Sequence, residues 1–162
     1  MKEKRKSENG LNAGEMQGMK GTLKYTVFQN GIPVEDVEER NLIVMSGRSQ
    51  LARLLGGDVN GRSIEKISFG TNGTAALLAD VNITNAYKKA ITNVSYPQAG
   101  KVKFDWNLLV TEANGMDILE FGLVCADDTL FSRRIRESGK PINKEADISL
   151  EGSWTIEFYQ GD

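Results

Sequence analysis

The stretch from residue 118 to residue 158, ILEFGLVCADDTLFSRRIRESGKPINKEADISLEGSWTIEF, decides the fold. It is a series of short runs in which apolar and polar side chains alternate, as they do at Trp154, Ile156 and Phe158. Such alternation is typical of a β-strand with one buried face. Turn-forming residues such as Asp127-Asp128 separate the runs. The stretch therefore predicts packed antiparallel strands, and none of its runs carries a recognisable reaction centre.

The same pattern extends toward the N-terminus. Residues 23–27 alternate and lead into Asn30-Gly31, a pair typical of a tight hairpin turn. Residues 102–106 place Val, Phe and Trp on one face, as the strand around Trp154 does. Two aromatic-rich strands of this kind indicate facing walls, so the predicted fold class is mainly β, an antiparallel β-sandwich or small barrel. The further candidate strands are 64–69, 90–96, 101–110, 116–125, 129–135 and 148–159.

One short α-helix is predicted in this β-rich chain. Ser46 is a candidate N-cap for a helix over about residues 47–55, and Gly56-Gly57 is a candidate end. The side of the helix that we expect to be buried carries Leu51, Leu54 and Leu55.

Composition divides the chain into two parts. Residues 1–20 are polar and lack a sustained period, which predicts an N-terminal arm without a core of its own. Residues 21–162 form a single β-rich domain, long enough to fold without a metal or disulfide. Within this domain, residues 75–89 fit either a turn of helix or a loop.

Several classes of function are disfavoured by composition. The 162 residues contain no histidine, which removes the usual general base and the commonest metal ligand. The single cysteine, Cys125, lies in an apolar run and is interpreted as an inert buried thiol. Twenty basic residues against 22 acidic ones leave no large basic field for specific nucleic-acid binding. No long apolar run is present, so we expect no membrane span and no signal peptide, and synthesis in a bacterial cytoplasm.

Three features were considered as sites of chemistry. The loop 70–74, GTNGT, lacks the Lys-Ser/Thr end of a P-loop and is interpreted as a turn. Asp127-Asp128 lacks the spaced ligands of a calcium loop and is interpreted as a hairpin turn. Glu120 lies in an apolar strand and is a candidate catalytic acid. We favour two other interpretations, in which its carboxylate pairs with Arg133, Arg134 or Arg136 or is exposed to solvent. A glycoside hydrolase would need a second carboxylate facing Glu120, and the sequence singles out none. The sequence thus predicts no enzyme activity and no catalytic, cofactor-binding or metal-binding residue.

Basic residues are the predicted partner contacts. Arginine is enriched at protein interfaces, whereas a nucleic-acid site would need interleaved exposed aromatic side chains. The acidic run at 35–39 is interpreted as a solvated strand edge that discourages strand addition, with binding of a basic partner as the less favoured alternative. The predicted contacts are Lys4, Arg5 and Lys6 in the arm and Arg133, Arg134 and Arg136 in the domain.

The order of several motifs resembles a family of bacteriophage virion proteins. The resemblance covers about residues 40–158, and the order is more specific than any single motif. The acidic hairpin and the polar arm lie outside it. The motifs are NLIVMSGR (41–48), LARLLGG (51–57), ISFGTNGT (67–74) followed by Asp80, ILEFGL (118–123), LFSR (130–133), PINK (141–144) and LEGSWTI (150–156).

The resemblance implies a small β-rich structural module associated with tails, baseplates or fibres, and it implies no catalytic residue and no cofactor. The expected partners are other virion proteins and copies of the chain itself, and the expected location is the virion. Two alternatives stay open, a head decoration protein and a glycan- or receptor-binding module that would use exposed tryptophans. A hydrolase centred on Glu120 is a third.

Overall fold

A tight hairpin at Asn30-Gly31 begins the fold. In the computed structural model, which describes residues 18–159, β1 (Met19–Gln29) and β2 (Ile32–Ile43) pair around this turn. Asn30 and Gly31 have φ angles of 52° and 78°, the left-handed conformation that a two-residue hairpin favours. The predicted hairpin is confirmed. Because β1 begins at Met19, residues 19 and 20 belong to the sheet and not to the arm.

The other elements confirm a mainly β domain with one helix. Nine of the described strands form one antiparallel sheet in the order β4-β3-β8-β9-β2-β1-β11-β6-β5, which curls into a half-barrel, and β7 pairs separately with β10. The elements are α1 (Met45–Leu55), β3 (Ile64–Gly70), β4 (Tyr87–Ala90), β5 (Asn93–Ser95), β6 (Lys101–Leu108), β7 (Met116–Ile118), β8 (Glu120–Cys125), β9 (Leu130–Ile135), β10 (Ile142–Lys144) and β11 (Ile148–Phe158).

The two edges of the curled sheet meet at one corner. β4 pairs with β3 at one edge and β5 pairs with β6 at the other, yet only Ile91 and Thr92 separate β4 from β5 along the chain. Ile91 N–H donates to Glu65 O at 2.9 Å, and Thr92 N–H donates to Asp105 O at 2.8 Å. One bent segment therefore joins both edges and shortens the open mouth of the half-barrel.

Aromatic side chains from both walls fill the core. Tyr25 and Phe121 lie 4.8 Å apart between ring centroids, and Phe69 contacts Trp106 edge-on at 5.5 Å. Trp154 on the neighbouring strand is fully buried. Both tryptophans point inward as predicted, so neither is an exposed platform for a sugar or base. The two strands that carry them, β6 and β11, pair side by side in one sheet, so the prediction that they form facing walls is wrong.

The helix begins earlier than predicted, and Ser46 does not cap it. The N-cap position is Val44, which makes no side-chain cap hydrogen bond. The Ser46 hydroxyl instead donates to the carbonyl oxygen of Leu130 at 2.6 Å, so it ties the first turn to β9. The predicted end is confirmed, because the Gly56 N–H closes the last turn.

The buried side of α1 also differs from the prediction. Gly47 and Gln50 are its buried residues, whereas Leu55 is largely exposed. A Cβ on Gly47 would overlap the Phe131 backbone, so the helix lies directly against β9. Leu51 and Leu54 are partly buried, and Leu51 packs against the core. No helix in residues 18–159 has the length and apolarity to cross a membrane.

Gly152 gives a test of the core packing. A Cβ there would overlap the Trp106 ring and lie 2.5 Å from the carbonyl oxygen of Lys24. Gly152→Ala is expected to lower the free energy of unfolding by about 1–3 kcal/mol, because overpacking a buried site forces neighbours to shift. Urea denaturation would measure the change.

Gly56→Ala is the matched control, since Gly56 has a φ of −88° and the nearest atom to an added Cβ is 3.7 Å away. We expect a change within about 0.5 kcal/mol for the control. Equal stabilities of the two variants would contradict the packing argument.

Candidate interaction site

Glu120 is the centre of a buried polar network. Its side chain is 0% exposed. Oε1 accepts a hydrogen bond from Arg133 Nε at 2.7 Å, and Oε2 accepts the backbone N–H groups of Asn72 and Thr84, each at 2.9 Å. The carboxylate therefore has an opposite charge and three hydrogen bonds, which offset the cost of removing it from water.

Arg133 extends this network into the loop 71–86. Its side chain is 2% exposed. The guanidinium donates to the Asp80 carboxylate at 2.8 Å and to the carbonyl oxygens of Asn72 and Thr74 at 3.1 and 2.9 Å. Two neighbouring strands and a long loop thus share one ion pair. Of residues 75–89, predicted as a turn of helix or a loop, 75–86 form a loop, whereas 87–89 belong to β4, which neither alternative predicted.

Two glycines make room for this pair. A Cβ on Gly70 would lie 2.6 Å from Glu120 Oε2, and a Cβ on Gly122 would lie 2.8 Å from the Ile83 side chain. Neither position can hold a larger residue without moving the loop. The glycines of the ISFGTNGT and ILEFGL motifs therefore serve the same buried site.

The geometry decides between the interpretations of Glu120. The predicted cross-strand pairing is confirmed, with Arg133 as the partner. The carboxylate is sealed from solvent and its oxygens are occupied, which speaks against a general acid that must reach a substrate. The loop 70–74 is a turn as predicted, and its Asn72 N–H points to an internal carboxylate instead of an external phosphate.

Arg134 and Arg136 bridge a seam in the sheet. β2 and β9 pair only at Leu42 with Arg133 and at Ile43 with Ser132, and then separate. Beyond that point Arg134 contacts Glu39 at 3.0 Å and also pairs with Glu137. Arg136 contacts Glu35 at 3.2 Å. The acidic run of β2 thus supplies counter-ions to β9, while Asp36 and Glu38 between them face outward.

The three arginines among the predicted partner contacts differ in how far they are exposed to solvent. Arg133 and Arg136 are buried and their guanidinium groups serve the fold, so the structure gives no support to their prediction as partner contacts. Arg134 is partly exposed, so its contact with a partner stays a prediction. Lys4, Arg5 and Lys6 lie outside the described residues.

Tyr25 connects the seam to the core. Its hydroxyl oxygen accepts a hydrogen bond from Arg136 at 2.8 Å, and its ring packs on Phe121. Burial raises the pKa of Tyr25 to about 12, against the lowering effect of Arg136. The phenol is therefore held in its neutral form.

Other polar residues also serve the fold. Burial raises the pKa of Cys125 to about 11, in keeping with the predicted buried thiol. Asp127 accepts the Thr129 N–H at 3.0 Å and Asp128 has a φ of 72°, so the predicted hairpin turn is confirmed.

Lys144 is fully buried, and burial lowers its pKa while its ammonium donates to Asn114 Oδ1 at 2.7 Å. Residues 18–159 contain no group of three or more potential metal ligands.

An open apolar groove is the feature that the sequence did not reveal. It has a volume of about 650 Å³ and lies between α1 and the strands at the corner of the half-barrel. Tyr96 is 75% exposed at its rim, and Val94 and Phe158 are each nearly half exposed. Its floor includes Leu51, Leu54, Ile64, Val102, Phe104, Phe131 and Ile156.

The strand register explains why this groove is open. Val94 aligns with Phe104 across β5 and β6, and Ile156 aligns with Val102 across β11 and β6. These side chains share the inward face, but β5 has only three residues and no strand beyond it to cover them. An apolar face at a short edge strand indicates an uncovered surface.

Comparison with protein-family models, curated proteins and solved structures finds no match to this chain.

The buried pair predicts a large effect of Glu120→Gln. An amide cannot accept hydrogen bonds at both ends, so it loses either the Arg133 or the backbone contacts. Breaking a buried ion pair in this way is expected to cost about 3–5 kcal/mol. Chemical denaturation would measure it, and amide exchange at Asn72 and Thr84 would report release of the loop.

Glu39→Gln is the matched control, since it removes the partly exposed partner of Arg134. We expect a loss of about 1 kcal/mol or less and unchanged exchange in the loop. A Glu120→Gln variant as stable as the control would show that the network does not hold the loop.

Tyr25 predicts a decline of stability in alkaline solution. The phenol has a higher pKa in the folded chain than when unfolded, so its contribution is complete below pH 10 and is lost as the pH rises toward about 12. The loss amounts to at most about 3 kcal/mol. Tyr25→Phe should show a shallower decline than the wild type between pH 10 and pH 12 in denaturation experiments. Parallel curves would contradict the assignment.

Proposed function

We propose that the chain is a structural virion protein of a bacteriophage that makes assembly contacts in the tail, baseplate or fibre region. The order of motifs over about residues 40–158 supports this proposal. The geometry adds a physical reason for those motifs, because Gly47, Gly70, Gly122 and Gly152 each lie where the backbone or a core side chain leaves no room for a Cβ. The motifs thus encode the packing of the domain, as expected of a module whose role depends on its shape and not on a reaction.

The open apolar groove carries the proposal. An uncovered apolar surface with Tyr96 and Phe158 at its rim is typical of a protein contact. Phe158 pairs with Met19 at the start of β1, so the groove lies beside the point where the N-terminal arm joins the domain. Other virion proteins and copies of the chain itself are the partners that such a surface suits.

The alternatives receive less support. The sealed Glu120 carboxylate disfavours a hydrolase centred on that residue. Both tryptophans are buried, and Trp154 Nε1 donates to Asn41 Oδ1 at 2.8 Å, which disfavours a tryptophan platform for glycans. A head decoration protein would use the same groove, so only the location in the particle separates it from the tail assignment.

Immunogold electron microscopy of purified particles tests the location, with antibody raised against the isolated protein. We expect gold at the tail, its tip or its fibres. Gold spread over the head would replace the tail assignment with decoration. The absence of gold from intact and disrupted particles would overturn the virion proposal.

Tyr96→Ser tests the groove. Tyr96 is exposed, so the variant should fold normally but be incorporated into particles at least several-fold less than the wild type, since the contact loses aromatic area. Val59→Ser is the control, because Val59 is exposed outside the groove. Quantitative immunoblots of purified particles give the readout, and normal incorporation of the Tyr96 variant would remove the groove from the proposal.

A further inference from the structure

The outward face of four neighbouring strands carries its charges in two separate groups. β2, β1, β11 and β6 lie side by side, and their register aligns the outward residues in rows. Alternate residues of the same strands, such as Leu23 and Trp154, fill the core. The successive rows are Asp36, Thr26, Glu151, Asn107; then Glu38, Lys24, Ser153, Asp105; then Arg40, Thr22, Thr155, Lys103; and last Lys20, Glu157, Lys101.

The two halves of this face have opposite charge. The first two rows, the acidic half, contain four carboxylates and one lysine, a net charge of −3. The last two rows, the basic half, contain four cations and one glutamate, a net charge of +3. Contact with water explains why an antiparallel sheet has a polar face, but it does not explain why the signs are separated.

Contacts within the face leave these charges accessible. Lys24 and Glu38 lie 4.0 Å apart, and both side chains are more than half exposed. Lys103 and Asp105 lie 3.7 Å apart, Lys20 and Glu157 lie 3.5 Å apart, and these four side chains are partly exposed. Among residues 18–159, the Arg40 side chain has no ion-pair partner. Exposed pairs of this kind contribute little to stability, so their groups are available to a partner.

We propose that this face binds the same face of a second copy of the chain, with the strands of the two copies antiparallel. This inference rests on the proposed function and makes it more specific, since it names a copy of the chain as one assembly partner. A two-fold axis across the strands places each acidic half over the partner's basic half. Glu38 then lies over Arg40 of the second copy and Asp105 lies over Lys103. By symmetry each pair occurs twice.

The summed charge of the two halves favours this arrangement, although the same axis also places Glu151 over Glu157 of the second copy. A two-fold axis parallel to the strands would place acidic half over acidic half, which repels. Within the acidic half a shallow cleft of about 450 Å³ opens over Gly152, and its charged lining residues are Asp36, Glu38, Glu151 and Lys24, which leaves it net acidic. A lysine side chain from the basic half of the second copy matches the charge of this cleft.

The size of the face sets the expected affinity. Four strands and four rows cover roughly 20 by 25 Å, or about 500 Å² on each copy. The total of about 1,000 Å² lies at the lower limit for a specific interface. We therefore expect weak self-association that depends on protein and salt concentration. It becomes effective where a particle holds many copies of the chain close together.

A charge-reversal pair tests the inference with the full chain. Arg40→Glu with Lys103→Glu makes the basic half acidic, and Glu38→Arg with Asp105→Lys makes the acidic half basic. Sedimentation velocity at low salt should show association of the wild type and at least a tenfold weaker association of each double variant alone. An equimolar mixture of the two should regain association, because each supplies the charge that the other lacks.

The control is Arg53→Glu with Lys88→Glu, which makes the same change in net charge as Arg40→Glu with Lys103→Glu, but at exposed positions outside the face. It should associate like the wild type. A wild type that stays monomeric at millimolar concentration in low salt, reversed variants that associate normally, or a mixture that fails to associate would each overturn the inference. None of these results depends on where gold labels the particle, so this failure is distinct from failure of the virion proposal.

Discussion

The buried ion pair between Glu120 and Arg133 is the constraint on which the rest of the structure depends. A carboxylate in the wall of an apolar core is tolerated only when charge and hydrogen bonds replace its water. Here one guanidinium and two backbone N–H groups do so, and both N–H groups belong to the loop 71–86. The pair therefore fixes the positions of Asn72 and Thr84 at the two ends of the loop. Gly70 and Gly122 follow from it, because any side chain there would fill the space that the pair and Ile83 occupy.

Ion pairs also connect β2 and β9 across the seam where the two strands separate. Where the backbones separate, Arg134 and Arg136 replace the missing ladder by reaching Glu39 and Glu35. The acidic strand thus has two sides with two tasks. Its seam-facing glutamates neutralise the buried Arg136 and the partly exposed Arg134, and Asp36 and Glu38 on the alternate positions face outward. Strand periodicity alone separates these tasks, since successive side chains of a strand point to opposite faces.

Two exposed surfaces of different chemistry lie outside these internal ion-pair networks. The groove between α1 and the corner of the half-barrel is apolar, and the outward face of β2, β1, β11 and β6 is polar with separated charges. An apolar contact gives affinity that salt does not weaken, whereas a charged contact gives orientation and fades as salt rises. A protein that must join two kinds of neighbour in a fixed direction would benefit from both. The presence of one apolar and one charged surface agrees with the proposed structural role.

Local pattern determined much of this protein. Alternation in residues 118–158, the Asn30-Gly31 turn and the Gly56 end of the helix specify antiparallel strands, a hairpin and one helix, because each depends on neighbours within a few residues. Tertiary structure decided the rest. Sequence spacing could suggest that Glu120 pairs with an arginine, but only the register of β8 against β9 selected Arg133 and buried it. Ser46 bonds to β9 instead of capping its own helix for the same reason, and the groove exists because the curled sheet leaves a short edge strand uncovered. These features depend on residues that are distant along the chain, and their contacts are set by how the sheet curls and not by any local preference.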